Sequence, residues 1–274
     1  MFRATDQRRP RHERIVDDPY ARLFLGPVMR TALATIEATG RLGTLAEEHS
    51  PGLITYVLCR HRFIDDCLER ALSGGVAQLV ILGAGYDTRA YRFAEALRDR
   101  RVLEVDSPLT SRRKAQIVEA HREQLPSVRI RRVEIDFLHD CLEDVLVAAG
   151  FERGAPSLFV WEGVAMYLTR AAVKDTLSRI RQLGAPGSLL AMDYWYLVDS
   201  LDLLSTAYRM SPNLLHLLGE PIVFSLHPDD AYPFMERAGF RIVDLADNQE
   251  LRGRYVRDGR RIYPGNYVIE ARNA

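Results

Sequence analysis

Strand-like and helix-like segments alternate along residues 77 to 194 of this 274-residue chain. The strand-like runs are rich in valine, isoleucine and leucine, and the segments between them have helical periodicity. Such alternation is typical of a largely parallel sheet covered by helices. The predicted strands span residues 77–82, 101–105, 128–135, 157–162 and 188–194, followed by 240–246 and 266–271. We therefore predict an α/β fold with a seven-stranded, mostly parallel sheet.

Helices are predicted between these strands at residues 90–99, 109–123, 142–150, 170–184 and 229–239. Thr169 is placed to cap the start of the fourth helix, and Gly184 is placed to end it. The connection between the last two strands contains Asp258-Gly259, a pair that favours tight turns. At this edge of the sheet we expect a hairpin excursion or antiparallel pairing.

Two long amphipathic regions lie outside the alternation, at residues 1–75 and 195–224. Both are too long to be simple connections. Open parallel sheets bind ligands at the carboxyl ends of their strands. We therefore predict that these two regions form a cap over that edge of the sheet. We expect one domain over residues 1–274. Its parts are an N-terminal helical cap (1–75), a cofactor-binding core (76–194), a cap insertion (195–224) and a C-terminal helix and strands (225–274).

The composition argues against several classes of protein. The 37 Lys and Arg residues balance 37 Asp and Glu residues, which disfavours a general nucleic-acid binder despite basic clusters at 8–14 and 129–132. The three cysteines form no CxxC pair, so neither a metal site nor a disulfide framework is predicted. We expect no signal peptide in the arginine-rich N-terminal segment, and no apolar run in the sequence is long enough to span a membrane. We expect a cytoplasmic protein.

A glycine turn follows the first predicted strand and indicates a ligand site. Gly83 and Gly85 permit a tight turn and leave no side chain between the backbone and a ligand. The helix that begins near Ala90 points its free N–H groups at the same place. About 20 residues later, Glu104 and Asp106 end the second strand, where a carboxylate can accept the hydroxyls of a ribose.

Two ligand classes share this turn. A dinucleotide fold usually carries a third glycine where this chain has Thr88. Asp87 beside the ligand space would repel a pyrophosphate but can accept hydrogen bonds from an ammonium group. S-adenosylmethionine is therefore favoured over a nicotinamide dinucleotide. Arg89 and Arg92 are interpreted as partners of nearby carboxylates rather than as phosphate ligands.

Two later strand ends also carry carboxylates. Asp136, followed by the apolar Phe137, suits an adenine amino group and ring, although Asp136 could instead cap the next helix. Glu162 interrupts an apolar run at the end of the fourth strand. Because an unpaired buried carboxylate is costly, Glu162 should face a cleft, a ligand or a basic partner such as an arginine.

These residues together resemble the leucine carboxyl methyltransferase family, and more closely its bacterial branch of S-adenosylmethionine-dependent O-methyltransferases. The resemblance rests on six segments, in chain order DDPYARLFLG, CRHRFIDD, VILGAGYDTRAYRF, EVDSPLTSRRK, DF and WEGVAMYLT. It spans roughly residues 10 to 270 and implies a class I methyltransferase fold with helical additions over the active site.

The resemblance also implies roles for individual residues. Arg60 would hold the methionine carboxylate, Gly83 and Asp106 would line the cofactor backbone and ribose, and Glu162 would lie near cofactor and acceptor. Asp136 and Phe137 would take the adenine. The arginine motif here includes Arg60 and Arg62 on either side of a histidine, and only one of them can face the sheet.

The acceptor is less constrained by the sequence. A carboxylate acceptor is already ionised near neutral pH, whereas a hydroxyl needs help in losing its proton. Tyr167, Tyr194 and His216 are the candidates for acceptor contact, with packed aromatics and a surface histidine as the alternatives. The apolar residues of 195–224 favour a small, partly hydrophobic acceptor, such as a secondary metabolite or a carrier-tethered acyl chain. A non-catalytic ligand-binding protein of the same fold is a further alternative.

Overall fold

The computed structural model describes residues 1–39, 51–136, 139–196 and 222–274, and a seven-stranded sheet lies at its centre. The strands are β1 (Gln78–Leu82), β2 (Arg101–Asp106), β3 (Ile130–Glu134), β4 (Ser157–Trp161), β5 (Leu189–Trp195), β6 (Phe240–Ala246) and β7 (Asn266–Asn273). All seven predicted strands are confirmed, with boundaries that differ by a few residues at most.

The strand order is β3-β2-β1-β4-β5-β7-β6. Strands β1 to β5 are parallel, and β7 runs antiparallel between β5 and β6. Strands β2 and β3 are added on one side of β1, and β4 and β5 are then added on the other side of β1. Such a reversal leaves a crevice at the carboxyl ends of β1 and β4, which is where open α/β sheets bind ligands.

Helices accompany the sheet at intervals along the described chain. Their bounds are α1 (Phe2–Asp6), α2 (Pro27–Thr39), α3 (Leu53–Ser73), α4 (Arg89–Arg92), α5 (Pro108–Ala120), α6 (Leu142–Ala148), α7 (Arg170–Leu183), α8 (Pro228–Arg237) and α9 (Asn248–Tyr255). The cap of α7 is as predicted, because the Thr169 hydroxyl accepts a hydrogen bond from the Ala172 N–H at 3.2 Å. None of the described helices is long and apolar enough to cross a membrane.

Period-two alternation along the strands divides the core into two layers. Leu79 and Ile81 of β1 pack on one side of the sheet with α3, and Val80 and Leu82 pack on the other side. Helices α7 and α8 cover the second side, where Val173 and Phe234 are among their core residues. Burying both faces explains why the central strands β1 and β4 are apolar at every position after their first residue, whereas the edge strand β3 carries charged residues.

Helix α3 lies within the predicted N-terminal cap (1–75) and also covers one face of the sheet. It packs along β4, β5 and β7 and is part of the layer that covers one face of the sheet. Of the predicted insertion 195–224, residues 197–221 lie outside the described residues. At its two ends, Trp195 belongs to β5 and Phe224 is buried in the core.

One helix prediction was partly wrong, and of the two alternatives at the sheet edge the antiparallel pairing is the one observed. The predicted helix 90–99 is reduced to α4, and the residues after it form successive turns that bury Leu97 and lead into β2. The antiparallel edge is confirmed, but β6 and β7 are joined through α9 rather than through a hairpin. After β6 the chain first forms α9, which packs against α3. Asp258 and Gly259 lie in the loop between α9 and β7.

Candidate functional site

A cavity of about 220 Å³ lies at the carboxyl ends of β1 and β4. One wall is the glycine turn 83–87, and the opposite wall is formed by α3 and Glu162. This is the crevice that the strand order predicts. The charged side chains of Arg3, Arg60, Asp87 and Glu162 line it together with His61 and apolar residues of β1.

Both glycines of the turn have left-handed backbone angles, which favour glycine, and Gly83 also leaves no room for a side chain. Gly83 has a φ of 63°, and a Cβ at this position would lie 2.4 Å from Cγ2 of Val164. Gly85 has a φ of 42°, and its N–H donates to Oδ2 of Asp106 at 2.5 Å. The other oxygen of Asp106 accepts from the Ser107 N–H at 2.7 Å. Asp106 thereby ties the turn to the end of β2, and its carboxyl oxygens retain further acceptor capacity.

The structure decides between the two arginines of α3. Nε of Arg60 donates to Glu162 at 2.9 Å, and Nη1 donates to Asp193 at 2.9 Å. Arg60 lines the cavity with a side chain that is 12% exposed. Arg62 is 45% exposed and pairs with Asp66 at 2.7 Å. Residues two apart on a helix point about 200° apart, so only Arg60 faces the site.

Glu162 and Asp87 are both held by Arg89, which confirms that this arginine is a partner of carboxylates. Nη1 of Arg89 lies 2.7 Å from Glu162 and 2.5 Å from Asp87, and its Nε donates to Asp65 at 2.7 Å. Arg92 pairs with the same Asp65 at 2.6 Å. Glu162 therefore satisfies two expectations, because it faces the cleft and also pairs with basic residues.

The pKa values of these carboxyls follow from burial and from the surrounding cations. Burial acts to raise the pKa of Glu162, but the guanidinium groups of Arg89 and Arg60, with a hydrogen bond to the His61 side chain, hold it well below its usual range. The same opposition, with Arg89 as the main cation, lowers the pKa of Asp87. Asp193 behaves differently, because burial raises its pKa despite the contact with Arg60. Glu162 and Asp87 are thus ionised and committed to ion pairs at neutral pH.

His61 completes this network as a neutral imidazole. Burial and then Arg89 lower its pKa, against the opposite effect of Glu162. Its Nδ1 lies 3.2 Å from Glu162, and its Nε2 lies 2.8 Å from Nη2 of Arg92. Nη2 of Arg89 also lies 2.8 Å from the same Nδ1 and donates to the His61 carbonyl at 3.0 Å.

The N-terminal segment reaches the turn through contacts that the sequence did not reveal. Nη2 of Arg3 donates to the Tyr86 carbonyl at 2.7 Å, and its Nη1 donates to Asp18 at 2.6 Å. The Thr88 hydroxyl also donates to Asp18, at 2.7 Å. Thr88 stands where a dinucleotide fold has glycine, and its side chain is fully buried in this bond. The signal that could have indicated it is the DDPY segment, of which Asp18 is a part.

The predicted adenine residues lie at the edge of the described structure. Asp136 follows β3 and is half exposed, and its Oδ2 lies 2.8 Å from Nδ1 of His139. The residue at the N-cap of α6 is Cys141, so the alternative of Asp136 as a helix cap is wrong. Phe137, like the candidate catalytic residue His216, lies outside the described residues. Its role as an adenine contact stays a prediction.

Of the two tyrosines expected at the acceptor, the structure places one in the core. Tyr194 is 1% exposed, and its hydroxyl donates to Sδ of Met235 at 3.2 Å. Its ring packs among aromatic residues that include Phe224 and Phe234. A side chain that points from β5 into the layer under α8 cannot reach the cavity, which corrects the expectation. Tyr167 is partly buried against the core layer that contains α3, and its contact with an acceptor stays a prediction.

The strand order and the cavity at the reversal define a class I methyltransferase fold. Magnesium protoporphyrin IX methyltransferase from Synechocystis PCC 6803, solved with bound SAH, superposes with a TM-score of 0.51 at 10% identity. That match covers 89% of this chain and 99% of the other. The pyocyanin biosynthetic protein PhzM gives a TM-score of 0.52 at 15% identity, over 94% of this chain and 62% of the other. At these identities the likeness concerns the fold alone.

The chain belongs to the leucine carboxyl methyltransferase family, whose model matches residues 1–181. A provisionally named S-adenosyl-L-methionine-dependent methyltransferase of Parafrankia sp. is 36% identical over 194 residues, or 70% of this chain and 59% of that protein. A protein of Rhodococcus jostii with the same provisional name is 35% identical over 198 residues, or 70% of this chain and 62% of its own. The chain thus matches about 60% of the length of these relatives.

Proposed function

We propose that this chain is an S-adenosylmethionine-dependent O-methyltransferase that acts on a small, partly hydrophobic acceptor. The observation that carries the proposal is the joint placement of the glycine turn, Asp106 and Arg60 around one crevice. The family and the provisional names of its relatives support the same cofactor. S-adenosylmethionine supplies an electrophilic methyl group on a positively charged sulfur.

The residues around the crevice fit the parts of this cofactor. Nη2 of Arg60 makes no hydrogen bond with the described residues, so it is available to a carboxylate, and Glu162 and Asp193 fix its direction. Asp106 has acceptor capacity left for ribose hydroxyls after binding two backbone N–H groups. A Cβ at Gly85 would meet only the Gly83 carbonyl oxygen, at 3.8 Å, so the backbone at Gly85 lets a ligand approach closely.

The state of the carboxylates favours an acceptor that is already ionised. Arginines hold Glu162 and Asp87, and their lowered pKa values make both groups weak bases. An acceptor carboxylate needs no base, and for it the protein supplies alignment and exclusion of water. We therefore propose methyl ester formation on a carboxylate, with a hydroxyl acceptor as the second possibility. The apolar sequence of residues 195–224 supports an acceptor with a hydrophobic part, such as a secondary metabolite or a carrier-tethered acyl chain.

The alternatives are less well supported by the same residues. A nicotinamide dinucleotide would bring a pyrophosphate to a turn where Asp87 is ionised and Thr88 is tied to Asp18. A non-catalytic binding protein would bind the same cofactor but transfer no methyl group to any acceptor. Both alternatives predict measurable behaviour that differs from that of a methyltransferase.

Calorimetry with S-adenosylhomocysteine tests the cofactor. The parent protein should bind it, and Asp106→Ala and Arg60→Ala should each weaken binding by about 10- to 100-fold, as expected for loss of hydrogen bonds to a charged group. Arg62→Ala is the matched control on the same helix and should bind like the parent. Circular dichroism of each variant separates lost binding from lost folding. Absence of binding by the folded parent protein refutes the proposal.

Incubation with radiolabelled S-adenosylmethionine and a panel of carboxylic acids and alcohols tests the reaction. Label should pass to a carboxylate as a base-labile ester. Transfer to alcohols alone refutes the preference for carboxylates, and binding without transfer to any acceptor supports the non-catalytic alternative. Quenching or enhancement of NADH fluorescence on mixing with the protein is the outcome that the oxidoreductase alternative requires.

A further inference from the structure

A second concave site lies between α9 and the loop that follows it, and we call it the arginine groove. Its volume is about 750 Å³, and none of its lining residues lines the cavity at the glycine turn. Three arginines line it, Arg252, Arg257 and Arg261, together with the polar side chains of Asn248 and Gln249. No aspartate or glutamate is among its described lining residues.

The arginines of this segment fall into two groups. Arg254 forms two hydrogen bonds with Asp244, at 2.7 and 2.9 Å. Arg260 pairs with Asp258 at 2.8 Å, and the same carboxylate also binds Arg9 at 2.9 Å. The two carboxylates are thus used by arginines that lie outside the lining of the groove.

The three arginines of the groove have no such partner. Within the parts of the chain that the structure describes, no carboxylate pairs with Arg252, Arg257 or Arg261. The Arg257 guanidinium donates to the carbonyls of Gly253 and Arg254, at 3.4 and 3.0 Å, which fixes its position at the end of α9. A chain with no net charge therefore concentrates three uncompensated guanidinium groups in one concavity.

Gly253 provides an independent observation. It lies inside α9, where glycine is disfavoured relative to alanine, and it lines the groove. A Cβ added at this position would meet no atom within 4 Å, so packing does not explain the glycine. The missing side chain leaves the helix backbone open to a ligand in the groove.

We propose that the arginine groove binds a small molecule that carries phosphate groups, with a diphosphate as its preferred unit. Guanidinium groups match the geometry of phosphate oxygens through paired N–H donors and keep their charge at all physiological pH values. The volume lies in the range of small-molecule sites, and all three arginines line the same pocket. This site goes beyond the proposed methyl transfer, since it shares no lining residue with the cavity.

Calorimetric titration of the full chain with pyrophosphate, at constant ionic strength, tests the site. Saturable binding is expected, and binding that is absent up to about 1 mM pyrophosphate overturns the proposal. ADP and coenzyme A, titrated in parallel, distinguish a nucleotide from a pantetheine-bearing ligand, because both carry a diphosphate but differ beyond it. Adenosine, which lacks phosphate, should give no signal at this site.

Variants locate the binding. The triple variant Arg252→Gln, Arg257→Gln and Arg261→Gln should weaken pyrophosphate binding at least about tenfold. The control triple variant Arg98→Gln, Arg122→Gln and Arg129→Gln removes the same charge from exposed positions outside the groove and should bind like the parent. Equal losses in the two triples would mean that binding follows overall charge, which overturns the proposal.

Gly253→Leu separates occupancy of the groove from damage to the fold. Leucine favours the helix, so the midpoint of thermal unfolding should rise or stay unchanged, while the side chain fills the groove and weakens pyrophosphate binding. An unchanged affinity in this variant contradicts the proposed approach of the ligand to the backbone of α9.

Discussion

Replacing Asp193 with asparagine should uncouple Arg60 from the strand that holds it. Oδ2 of Asp193 accepts from Arg60 at 2.9 Å, and Oδ1 accepts from the Gly163 N–H at 2.6 Å. The Asp193 side chain is 1% exposed. Asparagine keeps the shape and one carbonyl oxygen for Gly163, but it removes the charge that faces the guanidinium.

The expected loss in the free energy of unfolding depends on which partners Arg60 keeps after the substitution. A hydrogen bond to a charged group contributes about 1.5–3 kcal/mol, and breaking a buried ion pair costs about 3–5 kcal/mol when one charge is left without a partner. Arg60 keeps Glu162 after the substitution, so its charge is only partly uncompensated. We therefore expect Asp193→Asn to lower the free energy of unfolding by about 2–3 kcal/mol. Binding of S-adenosylhomocysteine should also weaken, because the direction of Arg60 is no longer fixed on both sides.

Urea unfolding at neutral pH and calorimetry with S-adenosylhomocysteine measure the two effects. The matched control is Asp175→Asn, which breaks a pair with Arg179 on the surface of α7, where the aspartate side chain is 60% exposed. Exposed pairs of this kind contribute about 0.3–0.5 kcal/mol, so the control should stay close to the parent. An Asp193→Asn protein that is as stable as the control and binds with parental affinity refutes this account of Arg60.

Two further predictions concern the turn and the buried histidine. Gly83→Ala forces a left-handed φ on alanine, at about 1–2 kcal/mol, and adds a Cβ against Val164, so urea unfolding should show a loss of about 2–4 kcal/mol. Adding Val164→Ala should restore part of it, and no restoration argues against the contact. Because burial and then Arg89 lower the pKa of His61, the unfolded chain takes up its proton at higher pH than the folded chain. The stability from neutral His61 is thus present above pH 6.5, its unfolded value, and is lost as the pH falls through the lower folded value. Unfolding free energies measured between about pH 5 and 8 should fall less steeply with acid in His61→Gln, and parallel curves contradict this.

Local patterns were sufficient to predict the sheet and the glycine turn. Apolar runs of strand length, separated by segments with helical periodicity, predicted all seven strands. Such patterns depend only on residues that are close in the sequence. The acidic end of β2 was identified for the same reason, and the structure joins Asp106 to the Gly85 N–H as its position after the strand implies. The length of the helix after the turn was overestimated. Residues 93–100 have a helical composition, but they form turns that bury Leu97.

The charged network at the site could not be predicted in the same way. Its bonds join residues far apart in the chain, such as Arg60 with Glu162 and with Asp193, and no local spacing encodes them. Tyr194 shows the converse error. Its place after a strand end suggested the site, but β5 continues through Trp195 and turns the tyrosine into the core.

The sequence by itself determined the class of fold, the family and the residues of the turn, because these depend on periodicity and on motifs confined to short segments. Only the tertiary structure decided that Arg60 rather than Arg62 faces the crevice and that Asp193 holds it. It also decided that Arg252 of α9 and the two arginines after this helix, Arg257 and Arg261, have no carboxylate partner among the described residues. The physical reason is that burial and ion pairing depend on which surfaces come into contact when the chain folds. The partner of a charged side chain is therefore known only from the folded structure.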